Sequence, residues 1–338
     1  MQTSTPLVSV VIPCYNCAPL VGETIASVLA QSYPHIEIIA VNDGSTDNTA
    51  EVLASFSQVV LVNQENGGLA AARNFGMQQA KGDYIVWLDA DDLIEPDKIA
   101  LQVAVMQGYP PVVLCCTDFS AFNEQGIFDH AHSRCYYSRI QQATGLADFY
   151  PNQTVLSQAG RTIPLFYGDL SDELLWGNII HPPTVMLRRQ AVEQLTGLDG
   201  TLAQGTDYEY FIRISQLGDV ACLDCPLLRY RCSAQQMSAD QNLGSILRAN
   251  VKVLEKIERD YYDKISQHHP QFQQRIGEAY LKAARFYAAT EGRFAWQLLA
   301  KAVRRSGYQP YMLLILFLIL TPRRLLAWLK QRKGQQWP

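Results

Sequence analysis

No G-x-G-x-x-G follows the first apolar run of this 338-residue chain, which disfavours a dinucleotide-dependent dehydrogenase. No Gly-rich loop bearing Arg or Lys lies near the N-terminus, which disfavours a nucleotidyltransferase gripping a triphosphate. No uninterrupted apolar run reaches the roughly 20 residues that a bilayer span requires. A basic leader and a small-residue cleavage site are also missing, so the chain is expected not to be exported and its eight cysteines to be thiols. Two C-x-x-C pairs, Cys14/Cys17 and Cys222/Cys225, raise the question of zinc. They lie far apart and no His completes a compact ligand set, so buried structural thiols are the expectation. Acids are absent from Lys301 to Pro338, a stretch with eight basic residues, while the rest of the chain has 20 basic and 32 acidic residues. A basic end on an acidic body predicts an anionic surface as partner. Nucleic acid is not expected, because the basic residues flank an apolar segment instead of alternating with solvent-facing aromatics.

Apolar residues make up 48% of the chain and charged residues 18%, a globular composition sufficient for one large or two modest domains. The first 120 residues alternate short β-branched runs with stretches of helical spacing. Strands are expected near residues 7–13, 36–41, 59–62, 84–88 and 112–116, with helices near 18–31 and 69–79. This predicts an α/β fold: a Rossmann-like, mixed but mostly parallel sheet flanked by helices. Ligands in such sheets bind beyond the carboxyl ends of the strands, where Tyr15-Asn16, Asp43-Gly44 and Asp89-Ala-Asp91 fall. Residues 119–182 read as an irregular, aromatic-rich insertion of the binding-loop kind. Residues 188–195 and 207–217 read as helices, 220–223 and 227–230 as strands. From 239 onward the pattern is helical, so the chain divides at 238/239 into a catalytic domain, 1–238, and a C-terminal helical region, 239–338. Within the latter, 308–333 is apolar with Pro322, Arg323 and Arg324 interrupting and Trp328 near its end. It is expected to lie in a membrane interface, with a buried helix or an oligomer contact as the alternative.

Three acids in four residues, Asp89, Asp91 and Asp92, close the apolar run Tyr84 to Leu88. Alone they suggest a capped turn, but an Asp-X-Asp at a strand end can also hold a hard divalent cation through oxygens. Five segments stand in order: Val8-Ser-Val-Val-Ile-Pro-Cys-Tyr15-Asn16, Val41-Asn-Asp43-Gly-Ser-Thr-Asp47, Asn66-Gly-Gly-Leu-Ala-Ala-Ala-Arg73-Asn74, Gly82-Asp83 through Asp92, and Gly205-Thr-Asp207-Tyr-Glu-Tyr-Phe-Ile-Arg213. Together, over roughly residues 7–230, they resemble the family 2 glycosyltransferases, inverting enzymes with the nucleotide-sugar-binding A-type (GT-A) fold. The resemblance implies a UDP-sugar donor held by Pro13, Tyr15, Asp43, Arg73, Asp89 and Asp91. Asp91 would be the ligand of Mg²⁺ or Mn²⁺, Asp89 would lie at the ribose, and Asp43 at the base. Asp207 would take the proton of an acceptor hydroxyl on a glycan or lipid-linked acceptor, with Glu209 second in line and Arg213 structural. The chain departs from the family pattern at Asn42 and Thr206, each standing where an acid is usual. The implied place of work is the cytoplasmic face of the cell membrane, in polysaccharide or glycolipid synthesis. A polyprenyl-phosphate glycosyltransferase and a non-catalytic subunit of a glycan-assembly complex are the alternatives.

Overall fold

A computed structural model describes residues 5–158, 160–202, 204–233 and 243–321. The chain forms two compact units, one from Met1–Thr201 with Thr206–Ala234, the other from Leu202–Gly205 with Gln235–Pro338. The expected division at 238/239 lies outside the described residues.

The first unit is built on one mixed sheet. Its strands are β1 (Val8–Cys14), β2 (Ile36–Asp43), β3 (Val59–Gln64), β4 (Tyr84–Trp87), β5 (Leu93–Ile94), β6 (Val112–Asn123), β7 (Gly126–Asp129), β8 (Asn152–Gln158), β9 (Arg161–Gly168), β10 (Met186–Arg188) and β11 (Asp219–Arg231). The order across the sheet is β3-β2-β1-β4-β10-β6-β11-β9-β8, with β5 on β11 and β7 on β6. Strands β3, β2, β1 and β4 are mutually parallel, β10 runs antiparallel to both neighbours, and β6 and β11 are parallel to one another. The helices α1 (Val21–Leu29), α2 (Thr49–Ala54), α3 (Leu69–Gln79) and α4 (Lys98–Gly108) follow the early strands, as crossovers between parallel strands require. Short helices α5 (Ser133–Tyr136), α6 (Ser138–Gln142) and α7 (Arg189–Val192) and the longer α8 (Thr206–Ile214) complete the unit.

β1 and β4 are buried at every position, which accounts for their unbroken apolar runs. Helix α3 lies close to this sheet because Gly76 has no side chain. A Cβ there would stand 2.3 Å from Cγ1 of Val11 and 3.1 Å from Cγ2 of Val41.

Three expectations need correction here. Residues 119–182 are not irregular: β6 extends to Asn123, β7 pairs with it, and the β8–β9 hairpin joins the sheet through β11. β8 is largely exposed, so it pairs through its backbone and has little apolar pattern to betray it. Pro13 does not end the first strand but sits buried inside it, opposite Val41. The carbonyl of Val11 accepts from the N–H of Leu88, so residues 11 and 13 turn their backbone toward β4. The β1–β4 ladder stops at Val11↔Trp87, just before Pro13, which has no N–H with which to continue it. The two short strands expected at 220–223 and 227–230 are one strand, β11, irregular in register around Pro226.

The second unit is helical: α9 (Leu243–Asp260), α10 (Tyr262–Ile265), α11 (His269–Tyr287), α12 (Gly292–Ser306) and α13 (Met312–Leu320). Glu258 of α9 accepts from His269 of α11 at 3.1 Å and from Arg305 of α12 at 2.8 Å, which ties the three long helices together. α13 buries Met312 and Ile315 but exposes Leu313, Phe317 and Leu320. No helix among the described residues is long and apolar enough to cross a membrane. Residues 322–333 of the segment expected at the membrane interface lie outside the described residues.

Candidate active site

The parallel register sets Cys14 beside Asn42 and Val11 beside Trp87. The loops leaving β1, β2 and β4 therefore emerge at one edge, and most of the expected donor residues gather there.

Tyr15 projects its ring into solvent. Its loop is stitched to the loop after β2: the Asn16 N–H donates to Ser45 Oγ at 3.1 Å, and Asn16 Oδ1 accepts from the Thr46 N–H at 2.8 Å. Asn16 holds φ of 49°, a left-handed conformation that Asn tolerates. Asn42, the first departure from the family pattern, is used as an amide. It donates to Asn63 Oδ1 at 2.9 Å and accepts from the Ser45 N–H at 3.1 Å, fixing the turn that follows.

Asp43 is buried, and three donors converge on its carboxylate. Oδ1 accepts from Gln64 Nε2 at 2.6 Å and the Gly67 N–H at 2.8 Å, and Oδ2 accepts from the Gly68 N–H at 2.9 Å. It thus anchors the Gly67-Gly68 entry to α3, where a negative charge also suits the helix dipole. Gly44, at φ 67°, must be glycine, since a Cβ would lie 2.8 Å from the backbone N of Asn66.

Arg73, in the second turn of α3, is among the largest fully buried side chains. Its Nη2 meets Asp89 Oδ1 at 2.5 Å and its guanidinium lies 5.1 Å from the Trp87 ring centroid. Asp89 is partly exposed, so this pair spans from core to edge. Asp91 is partly exposed at the same edge, and its carbonyl accepts from Arg231 Nε at 2.8 Å. Asp92 points the other way. It is sealed in the core, where burial, reinforced by the charges of Asp91 and Asp89, pushes its carboxyl well above the usual range. Its Oδ1 accepts from the backbone N–H of Arg231 at 2.9 Å, so the third acid of the cluster is a fastening for β11.

Asp207 stands in the first turn of α8, partly exposed but hemmed in by protein. Desolvation raises its pKa, the Arg73 guanidinium opposes that rise, and the charge of Asp89 adds to it. Asp207 therefore shares a field with Arg73 and Asp89, although more than a hundred residues separate it from Asp89 in sequence. Trp87 arranges this meeting. It is fully buried under Arg73, and its ring packs at 5.4 Å against Tyr210 and 5.7 Å against Phe211 of α8. One loop braces both helices. Asn74 of α3 exchanges two hydrogen bonds with the backbone of Leu198 at 2.7 and 2.9 Å, and Arg213 of α8 donates to the carbonyl of Gly197 at 2.8 Å.

Glu209 is held by Arg213, which donates to both of its carboxylate oxygens at 2.8–3.1 Å. That fork and the bonds to 196–197 make Arg213 a tie between α8 and the bracing loop, and commit Glu209 to the tie.

Two residues near Asp207 escaped the sequence reading. Tyr137 donates to the carbonyl of Ile180 at 3.0 Å and meets His181 Nδ1 at 3.2 Å. Burial raises its phenol, and Asp207 is among the charges that add to the effect. His181 is stacked on Phe119, with centroids 4.1 Å apart, and its Nε2 is buried without a hydrogen-bond partner. Burial first, then the charges of Arg73 and His132, lower its pKa to about 3, so it is neutral. A lone His in the apolar run Ile179-Ile180 before Pro182-Pro183 was the available signal.

The mixed, mostly parallel sheet flanked by helices, with its loops gathered at one edge, is an α/β fold of the A (GT-A) type. Residues 9–167 match the model of glycosyl transferase family 2. The chain is 42% identical over 111 residues to TuaG of Bacillus subtilis, provisionally named a teichuronic acid biosynthesis glycosyltransferase; the match covers 31% of this chain and 44% of that one. Among solved structures it is similar to S. aureus TarS 1-349 in complex with UDP-GlcNAc, with TM-score 0.57, 14% identity, and coverage of 98% and 93%. It is also similar to the mannosyltransferase PcManGT of Pyrobaculum calidifontis in complex with GDP-Man and Mn²⁺, with TM-score 0.56, 19% identity, and coverage of 99% and 89%. The chain thus resembles glycosyl transferase family 2 over a little under half of its length. It spans 17–33% of the length of the first curated relatives it matches, at 45–46% identity.

Proposed function

We propose that this protein transfers a sugar from a nucleotide-diphosphate sugar, a UDP-sugar by preference, to a hydroxyl of a glycan or lipid-linked acceptor, with inversion at the anomeric carbon. The observation that carries the reading is the shared field of Arg73, Asp89 and Asp207: the Arg–Asp pair at the loop edge and a raised carboxyl on α8 feel one another's charge.

In this reading the exposed ring of Tyr15 stacks on the base, and Asp43, with three of its acceptor positions used, keeps one for a base N–H. The buried Arg73 holds Asp89 for the ribose and sets positive charge beneath the diphosphate. Pro13 acts by shaping the strand from inside, without touching the donor. A partly exposed carboxylate beside a diphosphate fits Mg²⁺ or Mn²⁺, which need one or two protein carboxylates with phosphate oxygens completing the shell. Asp91 would hold that ion, and the ion would neutralise charge gathering on the leaving diphosphate. Asp207 takes the acceptor proton, which its raised pKa favours. TuaG, by its name, belongs to polysaccharide synthesis, and the Mn²⁺-bound PcManGT structure supports the metal. The apolar, basic C-terminal segment would keep the protein on the cytoplasmic face of the membrane, near such an acceptor.

The test is isothermal titration with UDP and Mn²⁺ alongside a sugar-transfer assay. Asp91→Ala is expected to lose the metal-dependent part of UDP binding. Asp207→Asn is expected to keep UDP affinity while transfer falls about 10²-fold or more. UDP binding indifferent to metal in both wild type and Asp91→Ala removes the metal assignment, and retained turnover in Asp207→Asn removes the base.

A further inference from the structure

Away from the donor edge, β7 and the turn after it carry a second constellation. Asp129 closes β7, and His132 and Cys135 follow at steps of three residues, with Cys135 on α5. Their ligating atoms meet in pairs. Asp129 Oδ2 is 2.9 Å from His132 Nδ1 and 3.0 Å from Cys135 Sγ, and Sγ is 3.1 Å from Nδ1. This is a closed triangle. A thiol–imidazole–carboxylate relay needs its two partners on the two different ring nitrogens. Here thiol and carboxylate address the same nitrogen, so the arrangement cannot pass a proton along a line. Three unlike donors aimed at one point are what a tetrahedral, borderline-soft cation requires.

The frame is held by bonds outside the triangle. Asp129 Oδ1 accepts from the Ala131 N–H at 3.0 Å, which leaves Oδ2 facing His132 and Cys135. The His132 N–H donates to the carbonyl of Phe119 at 2.8 Å, and its ring packs edge-on against Phe119 at 5.6 Å. The N–H of Cys135 returns to the carbonyl of His132 at 3.1 Å. Cys135 is exposed and Asp129 partly so, which lets an ion enter and water complete its shell.

We propose that Asp129, His132 and Cys135 form a binding site for one thiophilic divalent cation of the Zn²⁺ class, with water as fourth ligand, separate from any donor-bound metal at Asp91. Ligand bonds of about 2.0–2.3 Å call for ligand atoms to spread slightly beyond their hydrogen-bond separations, a side-chain adjustment only. On binding, the Cys135 S–H bond breaks, a sulfur–metal bond forms and the proton passes to solvent. The loaded site ties the β6–β7 hairpin to α5, and so steadies the segment that leads into Tyr137.

The test uses full-length protein stripped with chelator, in the absence of nucleotide, titrated with Co²⁺ and then Zn²⁺. One equivalent of Co²⁺ is expected to produce a thiolate-to-cobalt charge-transfer band and intense d–d bands of four-coordinate geometry, which Zn²⁺ then bleaches. Asp91→Ala should leave the spectrum unchanged, Cys135→Ser should abolish the charge-transfer band, and His132→Gln should weaken binding about tenfold or more. As a measurement independent of variant folding, Zn²⁺ should protect Cys135 of the wild type from alkylation, read by mass spectrometry of its peptide. A wild type without the band, a band that survives in Cys135→Ser or vanishes in Asp91→Ala, or alkylation of Cys135 undiminished by Zn²⁺ overturns the site.

Discussion

At the residue scale, the charge of Asp207 is governed by two neighbours of opposite effect. Its folded pKa lies above that of an ordinary carboxylate, so the base form is gained as pH rises through that raised value and lost as pH falls below it. Arg73 lowers this pKa and Asp89 raises it. Replacing Arg73 with Met is therefore expected to move the acid limb of the kcat/KM profile to higher pH. Asp89→Asn is expected to move it lower. Parallel shifts in the two variants, or none, would show that the limb belongs to another group. Arg73→Met should also destabilise the fold, because Asp89 loses the cation that compensates its charge.

At the element scale, the site depends on how closely α3 approaches the sheet. Gly76 is the residue that permits the approach, with Val11 and Val41 directly below it. Gly76→Ala is expected to cost about 1–3 kcal/mol through overpacking, seen as a Tm lower by several degrees. Because α3 also carries Arg73 and Asn74, nucleotide affinity should fall along with it. An unchanged Tm would mean that α3 can lift without strain. The strands were unequally legible at this scale. β1, β2 and β4 announce themselves by unbroken apolar runs because both of their faces are covered. β8 does not, because an exposed strand at a sheet edge is stabilised by backbone pairing that leaves little imprint on side-chain pattern.

At the scale of the whole molecule, charge is divided between an acidic body and a basic, apolar end. α13 exposes Leu313, Phe317 and Leu320, and eight basic residues lie between Lys301 and Pro338. Full-length protein is expected to co-sediment with vesicles containing phosphatidylglycerol, and much less with pure phosphatidylcholine. Deletion from Tyr308 should abolish the difference while leaving UDP binding intact. Equal sedimentation of the two proteins would remove the membrane role from the C-terminal segment.

The sequence by itself determined the alternation of strand and helix and the loops at the strand ends, and it proposed the candidates Tyr15, Asp43, Arg73, Asp89, Asp91 and Asp207, because those depend on local pattern and motif order. Only the tertiary structure decided which acids are alike. Asp92, indistinguishable from its neighbours in sequence, is turned inward to fasten β11, and Glu209 is bound over to Arg213. Likewise Trp87, an ordinary strand residue by pattern, is the surface on which Arg73 and α8 meet. The physical reason is the same in each instance. Burial and the field of distant charges arise from chain segments far apart in sequence, and no local spacing records which segments those will be.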